Sequence, residues 1–137
     1  MLMGIEWDTS SQWAFAISIL PILAKGLLVT LQATAVGFII ALVLGLILAS
    51  LKTSRLKIVA WPARFITEFI RDTPLLVQLF FLYYVLPEYG IILPAFMTGA
   101  LALGLQYSAY TSEVYRAGLE SVPLGQHEAA RALDLSP

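Results

Sequence analysis

Between Lys25 and Lys52 the chain carries no charge from Gly26 to Leu51, and as a helix those 26 residues rise about 39 Å. The hydrocarbon core of a bilayer is roughly 30 Å thick, so this one segment is long enough to cross it. Two more uncharged stretches follow, Thr73 to Pro87 and Tyr89 to Ser112, in a chain of only 137 residues. Mean hydropathy is +0.83, and a soluble domain of this size has too little interior to hide three such segments. The expected fold is therefore all-α, a multi-span helical membrane bundle in one domain.

Several function classes lose their footing at once. There is no cysteine, so disulfide and thiolate chemistry are absent. His127 is the sole histidine and cannot by itself build an imidazole-rich metal site, so no metal is expected. No G-x-x-x-x-G-K-[ST] pattern occurs, and this chain is not expected to bind ATP or any other cofactor itself. No nucleophile–base pair stands out, so no catalytic residue is assigned and the chain does not read as an enzyme. A nucleic-acid partner has no basic patch to rest on. Glu6 and Asp8 stand where a cleaved signal peptide would have basic residues, and none is expected.

Three crossings follow from the hydropathy, at about 23–51, 65–86 and 92–115. Residues 1–22 then form an extracytoplasmic or interfacial lead-in, with Trp7, Trp13 and Phe15 at headgroup level or simply covering the bundle. Between the first two crossings lie Lys52, Arg55, Lys57 and Arg64 with no acid, whereas the next link carries only Glu88. The positive-inside rule puts the basic loop in the cytoplasm and the N-terminus outside, although Lys25 opposes the trend. Three crossings return the chain to the cytoplasm, so residues 118–137 form a cytoplasmic segment.

Within the first crossing Ala33, Gly37, Ala41, Gly45 and Ala49 recur every four residues, and Ala100, Gly104, Ser108 and Ser112 do so in the third. Lipid gives helices little reason to associate except close backbone approach along small residues, so both stripes predict a packing face. The second crossing is bulkier and begins with charges. Glu68, Arg71 and Asp72 fall inside it, and Pro74 removes a backbone donor just beyond, where the helix should kink or restart. Glu68 and Arg71 are spaced to pair at i,i+3 in a charged, protein-buried end, or else they snorkel to the headgroups. Gln78, Gln106 and Tyr107 lie deeper, where each either hydrogen-bonds across helices or faces a wet solute path.

After the last crossing, Pro123 and Gly125 interrupt the chain. Gln126 to Leu133 reads as a short helix with Glu128 in its first turn and a small apolar surface of Ala129, Ala130 and Leu133. A helix this short is unstable alone in water and needs a partner surface, either a groove on another protein or its own bundle.

Two runs carry a resemblance. Glu68-Phe69-Ile70-Arg71-Asp72-Thr73-Pro74-Leu75-Leu76-Val77-Gln78 resembles the signature stretch of the permease subunits of ABC uptake systems for polar amino acids and for compatible solutes such as ectoine. Glu113-Val114-Tyr115-Arg116-Ala117-Gly118-Leu119-Glu120, followed by Gly125-Gln126-His127-Glu128-Ala129-Ala130-Arg131-Ala132-Leu133, resembles the same family's coupling region. The resemblance implies a bacterial inner-membrane permease, paired as a homo- or heterodimer. A periplasmic or lipid-anchored binding protein would supply it, and a separate cytoplasmic ATPase would drive it by alternating access. It assigns Gly125, Gln126, Glu128, Ala129, Ala130, Leu133 and Asp134 to ATPase coupling. Glu68, Arg71, Thr73, Pro74, Gln78, Glu113 and Arg116 fall to the permease signature. Asp72 and Asp134 depart from the family's usual Gly or Asn and Gly, and Asp134 should end the coupling helix less readily than Gly. Such permeases usually continue past the Glu-Ala-Ala element, so three crossings are expected to be part of a larger fold. The alternative reading is a non-transporting scaffold or inactive fragment that binds a cytoplasmic partner.

Overall fold

A computed structural model describes residues 11–134, so Glu6, Trp7, Asp8, Ser136 and Pro137 fall outside the described residues. Within that range the order is α1 (Gln12–Lys52), α2 (Lys57–Asp72), α3 (Leu75–Phe80), α4 (Ala95–Glu120) and α5 (Leu124–Ala132). A wide π turn over Phe81–Val85 and a 3-10 turn over Leu86–Tyr89 continue α3. Among the described residues there is no strand.

α1 starts earlier than the hydropathy suggests. The Ser11 hydroxyl accepts from the Ala14 amide at 3.1 Å, an N-cap that opens a helix of 41 residues. Trp13 and Phe15 therefore sit on its first turns. Its length is about 61 Å at the α-helical rise, twice the hydrocarbon core. Pro21 removes one bond near the start without ending the helix. No residue of α1 before Gly37 is buried.

From Gly37 onward α1 packs along α4, and both small-residue stripes meet there as expected. Gly37, Ala41, Gly45 and Ala49 are buried on one side and Ala100, Gly104, Ser108 and Ser112 on the other. The backbones nearly touch. A Cβ added to Gly104 would sit 2.5 Å from Ile40 Cγ2 and 3.2 Å from the Gly37 carbonyl oxygen; one on Gly45 would lie 2.9 Å from Thr111 Cβ. Gly37 lies beside Leu103 and Gly45 beside Thr111, so α1 and α4 run in the same direction. The chain between them must therefore travel back along the bundle.

α2 and α3 make that return, as a helix broken and bent by 99° where the sequence places Asp72, Thr73 and Pro74. The level of each half can be read from its neighbours. Arg64 of α2 reaches the Lys52 carbonyl at the end of α1, Ile70 lies beside Gln106 in the middle of α4, and Leu79, Phe80, Tyr83 and Tyr84 gather around Ala95, Thr98 and Gly99 at its start. α2 also has a small buried face, Ala60, Ala63, Thr67 and Ile70, which the bulk of the segment conceals in the sequence. Gly90, left-handed at φ 81°, turns the chain toward α4.

Among the described residues α1 alone is long and apolar enough to cross a membrane, and the bent pair counts as a second. α4 has the length, 26 residues, but Gln106, Ser108 and Ser112 lower its apolarity. Those groups are buried within the bundle, and both serines bond back to their own helix, Ser108 to Leu105 O and Ser112 to Ala109 O, each at 2.7 Å.

α5 begins at Leu124, so its first turn holds no acid and Glu128 falls in the second, a correction to the sequence reading. The contact geometry makes one prediction. Gly104→Leu should lower stability by about 1–3 kcal/mol or prevent assembly, because neither Ile40 nor the Gly37 backbone has room to yield, and thermal unfolding in detergent would measure it.

Candidate functional site

The break between α2 and α3 is where polar chemistry first gathers. Pro74 has no N–H, so the carbonyl of Ile70, four residues back, loses its helical donor. The Gln78 side chain replaces it, donating from Nε2 to Ile70 O at 2.9 Å and to Thr73 O at 3.1 Å. Gln106 on α4 closes the group: its Oε1 accepts from the same Nε2 or, with the amide turned instead, its Nε2 donates to Ile70 O at 3.0 Å and Thr73 O at 3.3 Å. Both glutamines are buried, 9% and 8% exposed, and an unpaired carbonyl at this depth would be costly. Tyr107 differs: it is exposed and lines a groove of about 370 Å³ with Thr34, Phe38 and Leu103.

A second cluster lies at the end of the bundle where α1 terminates. Lys52, the last residue of α1, is 3% exposed, and its Nζ donates to Glu113 Oε1 at 2.6 Å and Ser112 Oγ at 2.8 Å. Glu113 Oε2 accepts from Arg116 Nε at 2.9 Å, and Arg116 Nη1 bonds Glu120 Oε2 at 2.6 Å. Arg64 Nη2 donates to the Lys52 carbonyl at 3.4 Å, bringing α2 into the same network. Lys52, Arg64, Glu68, Arg71, Glu113, Arg116 and Glu120 all line a cavity of about 630 Å³.

Two sequence expectations change here. Glu68 and Arg71 are exposed rather than buried, and they do not pair; Arg71 instead lies over the Tyr110 ring, 5.5 Å from its centroid. The Tyr110 ring gives the Arg71 guanidinium a cation–π partner on α4. Lys52 was read only as a topology marker, yet it is the centre of the network. The available signal was its spacing: it lies three residues past Ala49, close to the buried stripe of α1, and Glu113 immediately follows the last residue of the α4 stripe, Ser112.

Beyond the network α4 ends at Glu120 and α5 begins three residues after Ser121. α5 packs against no other helix among the described residues. Gly125, Gln126, Glu128, Ala129, Leu133 and Asp134 are exposed and Ala130 is half-buried. Asp134 takes a left-handed backbone, φ 58°, so the sharp exit that Gly would make is made here by Asp. Asp72, by contrast, keeps an ordinary helical backbone at the end of α2.

Against known proteins, residues 41–137 match the family model described as the inner membrane component of binding-protein-dependent transport systems. The chain is 64% identical over 138 residues to a probable amino-acid ABC transporter permease, y4tG, of Sinorhizobium fredii (strain NBRC 101917 / NGR234), covering 100% of this chain and 60% of that one. It is 36% identical over 133 residues to the L-cystine transport system permease protein TcyB of Bacillus subtilis (strain 168), covering 97% and 55%. Among solved structures it is similar to one titled as a crystal structure of an amino acid ABC transporter with histidines, at TM-score 0.82 and 36% identity over 98% of this chain and 60% of that one. The chain thus spans a little over half the length of the relatives it matches.

The buried ammonium makes the site's own prediction. Glu113→Gln should cost about 3–5 kcal/mol by stranding Lys52, whereas Lys52→Met with Glu113→Gln should recover most of it, which a double-mutant cycle of thermal stabilities would read. A stripe-packed bundle closed by this ion network, with the family model matched from Ala41 to the end, makes the conclusion plain: the chain belongs to the family of inner membrane components of binding-protein-dependent transport systems.

Proposed function

We propose that this chain works in an ATP-driven importer of polar amino acids, as the part of a permease that carries the coupling helix. The names of its relatives weight the substrate class toward amino acids over a compatible solute such as ectoine. In this reading α1, the broken α2–α3 pair and α4 cross the inner membrane with the N-terminus outside and α5 in the cytoplasm. A separate ATPase docks on α5, a periplasmic or lipid-anchored binding protein delivers the solute, and a second permease subunit completes the gate.

The observation that carries the reading is the placement of α5. It stands clear of the bundle with Glu128 and Ala129 exposed, one short turn beyond an ion network fixed to α1 and α4. A rigid connection on one side and a free surface on the other is what a transmitting element requires. Force on α5 passes to Glu120, Arg116 and Glu113, and from Glu113 to Lys52 at the end of α1. Two transporter states must differ in their contacts at this joint for ATP to bias one of them. Gln78 and Gln106 are occupied at the helix break, so of the three deep polar residues Tyr107 is the one a solute can reach without breaking a hydrogen bond.

The test is solute-stimulated ATP hydrolysis by the full permease in liposomes with its ATPase and binding protein. Polar amino acids should stimulate it, and Glu128→Lys should weaken ATPase association roughly thirtyfold and abolish stimulation. A scaffold would bind the ATPase yet show no stimulation by any polar amino acid. Asp134→Gly should relieve about 1 kcal/mol of left-handed strain and slow hydrogen exchange across 124–134 several-fold.

A further inference from the structure

α2 has two faces with opposite chemistry. Ala60, Ala63, Thr67 and Ile70 face the bundle, whereas Ile58, Trp61, Phe65 and Phe69 form an exposed stripe at i, i+3, i+7 and i+11. Ile58 is 83% exposed and Trp61 72%, and the Trp61 and Phe65 rings stack with centroids 6.1 Å apart. At the start of the helix the stripe gives way to cations. Ser54, Arg55, Lys57, Ala60, Trp61 and Arg64 frame a cavity of about 370 Å³ with no acid on its wall. Arg55 and Lys57 have no ion pair among the described residues, and Arg64 has only a long contact to the Lys52 carbonyl.

The direction of α2 turns this into a fit. Its first turns lie level with the end of α1 and its last turn lies beside Gln106, in the middle of α4. Moving along α2, the surface therefore passes from cations with a serine, through a tryptophan, to phenylalanines at greater depth. That is the order of a phospholipid: charged phosphate, interfacial glycerol, acyl chain.

We propose that the cavity at Ser54, Arg55, Lys57 and Arg64 holds the phosphate of an anionic phospholipid headgroup, whose acyl chain lies along Trp61, Phe65 and Phe69. Arg55 and Lys57, which have no ion pair among the described residues, supply the charge complement with Arg64 beside them, and guanidinium forks match phosphate oxygens in a way ammonium alone does not. The proposal rests on the cytoplasmic end of the bundle lying at a membrane surface, and it does not depend on the solute or on ATP coupling.

The experiment uses the full permease in neutral detergent and in nanodiscs of equal parts phosphatidylglycerol and phosphatidylcholine. Added phosphatidylglycerol should raise the unfolding temperature; phosphatidylcholine and inorganic phosphate at the same concentration should not. Bound phosphatidylglycerol, counted by mass spectrometry after extraction from the nanodisc, should fall about fivefold for each cation removed, or roughly twenty-fivefold in R55Q with K57Q. The swap R55K with K57R should retain it, and unfolding in detergent alone should not change for either pair.

Equal stabilisation by phosphatidylcholine, or unchanged phosphatidylglycerol retention in R55Q with K57Q, would overturn the proposal. Stabilisation by inorganic phosphate alone would overturn it in favour of a free-anion site. Loss of ATPase co-purification in the same variant, with lipid retention intact, would assign the surface to the ATPase instead. Absence of solute-stimulated ATP hydrolysis in the liposome assay would leave this result untouched, so the two readings fail separately.

Discussion

The rest of the structure depends on the close backbone contact of α1 with α4. In water the burial of apolar surface would hold two such helices together; in lipid that force is largely absent, and dispersion between closely spaced backbones has to serve. Gly37, Gly45 and Gly104 permit the approach because a Cβ at any of them would meet the facing helix at 3.1 Å or less. The contact sets the direction of α4 and so obliges the intervening chain to return along the bundle. It also brings the ends of both stripes together, which is why Lys52 finds Glu113.

Polar groups follow from the same constraint. A bilayer interior leaves no solvent to satisfy them, so they are matched inside the protein, except Gln78 Oε1, which is buried with no hydrogen-bond partner among the described residues. Ser108 and Ser112 turn back to their own helix, and Gln78 repairs the carbonyl that Pro74 leaves open. The sharp bend between α2 and α3 is thus a stable feature, supported by side-chain donors. The buried Lys52 is the costliest of these groups. Its desolvation is offset by a carboxylate and a hydroxyl at hydrogen-bond distance.

Much of this was legible in the sequence. The four-residue stripes announced the packing faces because small residues leave an unmistakable period, and Pro74 announced the break because its missing donor is a local fact. Other features were hidden for equally physical reasons. The start of α1 depended on the Ser11 cap and on apolar residues that read as interfacial. The small face of α2 was masked by Trp61, Phe65 and Phe69 on its far side. The Glu68–Arg71 pair failed because Tyr110, distant in sequence, offered Arg71 a different partner. Lys52 looked like a boundary charge, and only the register of two parallel helices shows that it reaches Glu113. The family's second-run motif located α5, while the freedom of its surface required the fold.

Topology is the claim most open to direct measurement, and the absence of cysteine gives a clean background for it. Single cysteines at Ser54, Glu88 and Ala129 can be challenged with a membrane-impermeant maleimide in intact spheroplasts and in inverted vesicles. Positions 54 and 129 should react only in inverted vesicles and position 88 only in spheroplasts. Labelling of position 129 from outside, or of 54 and 88 from the same side, would contradict a bundle that crosses the membrane and delivers α5 to the cytoplasm.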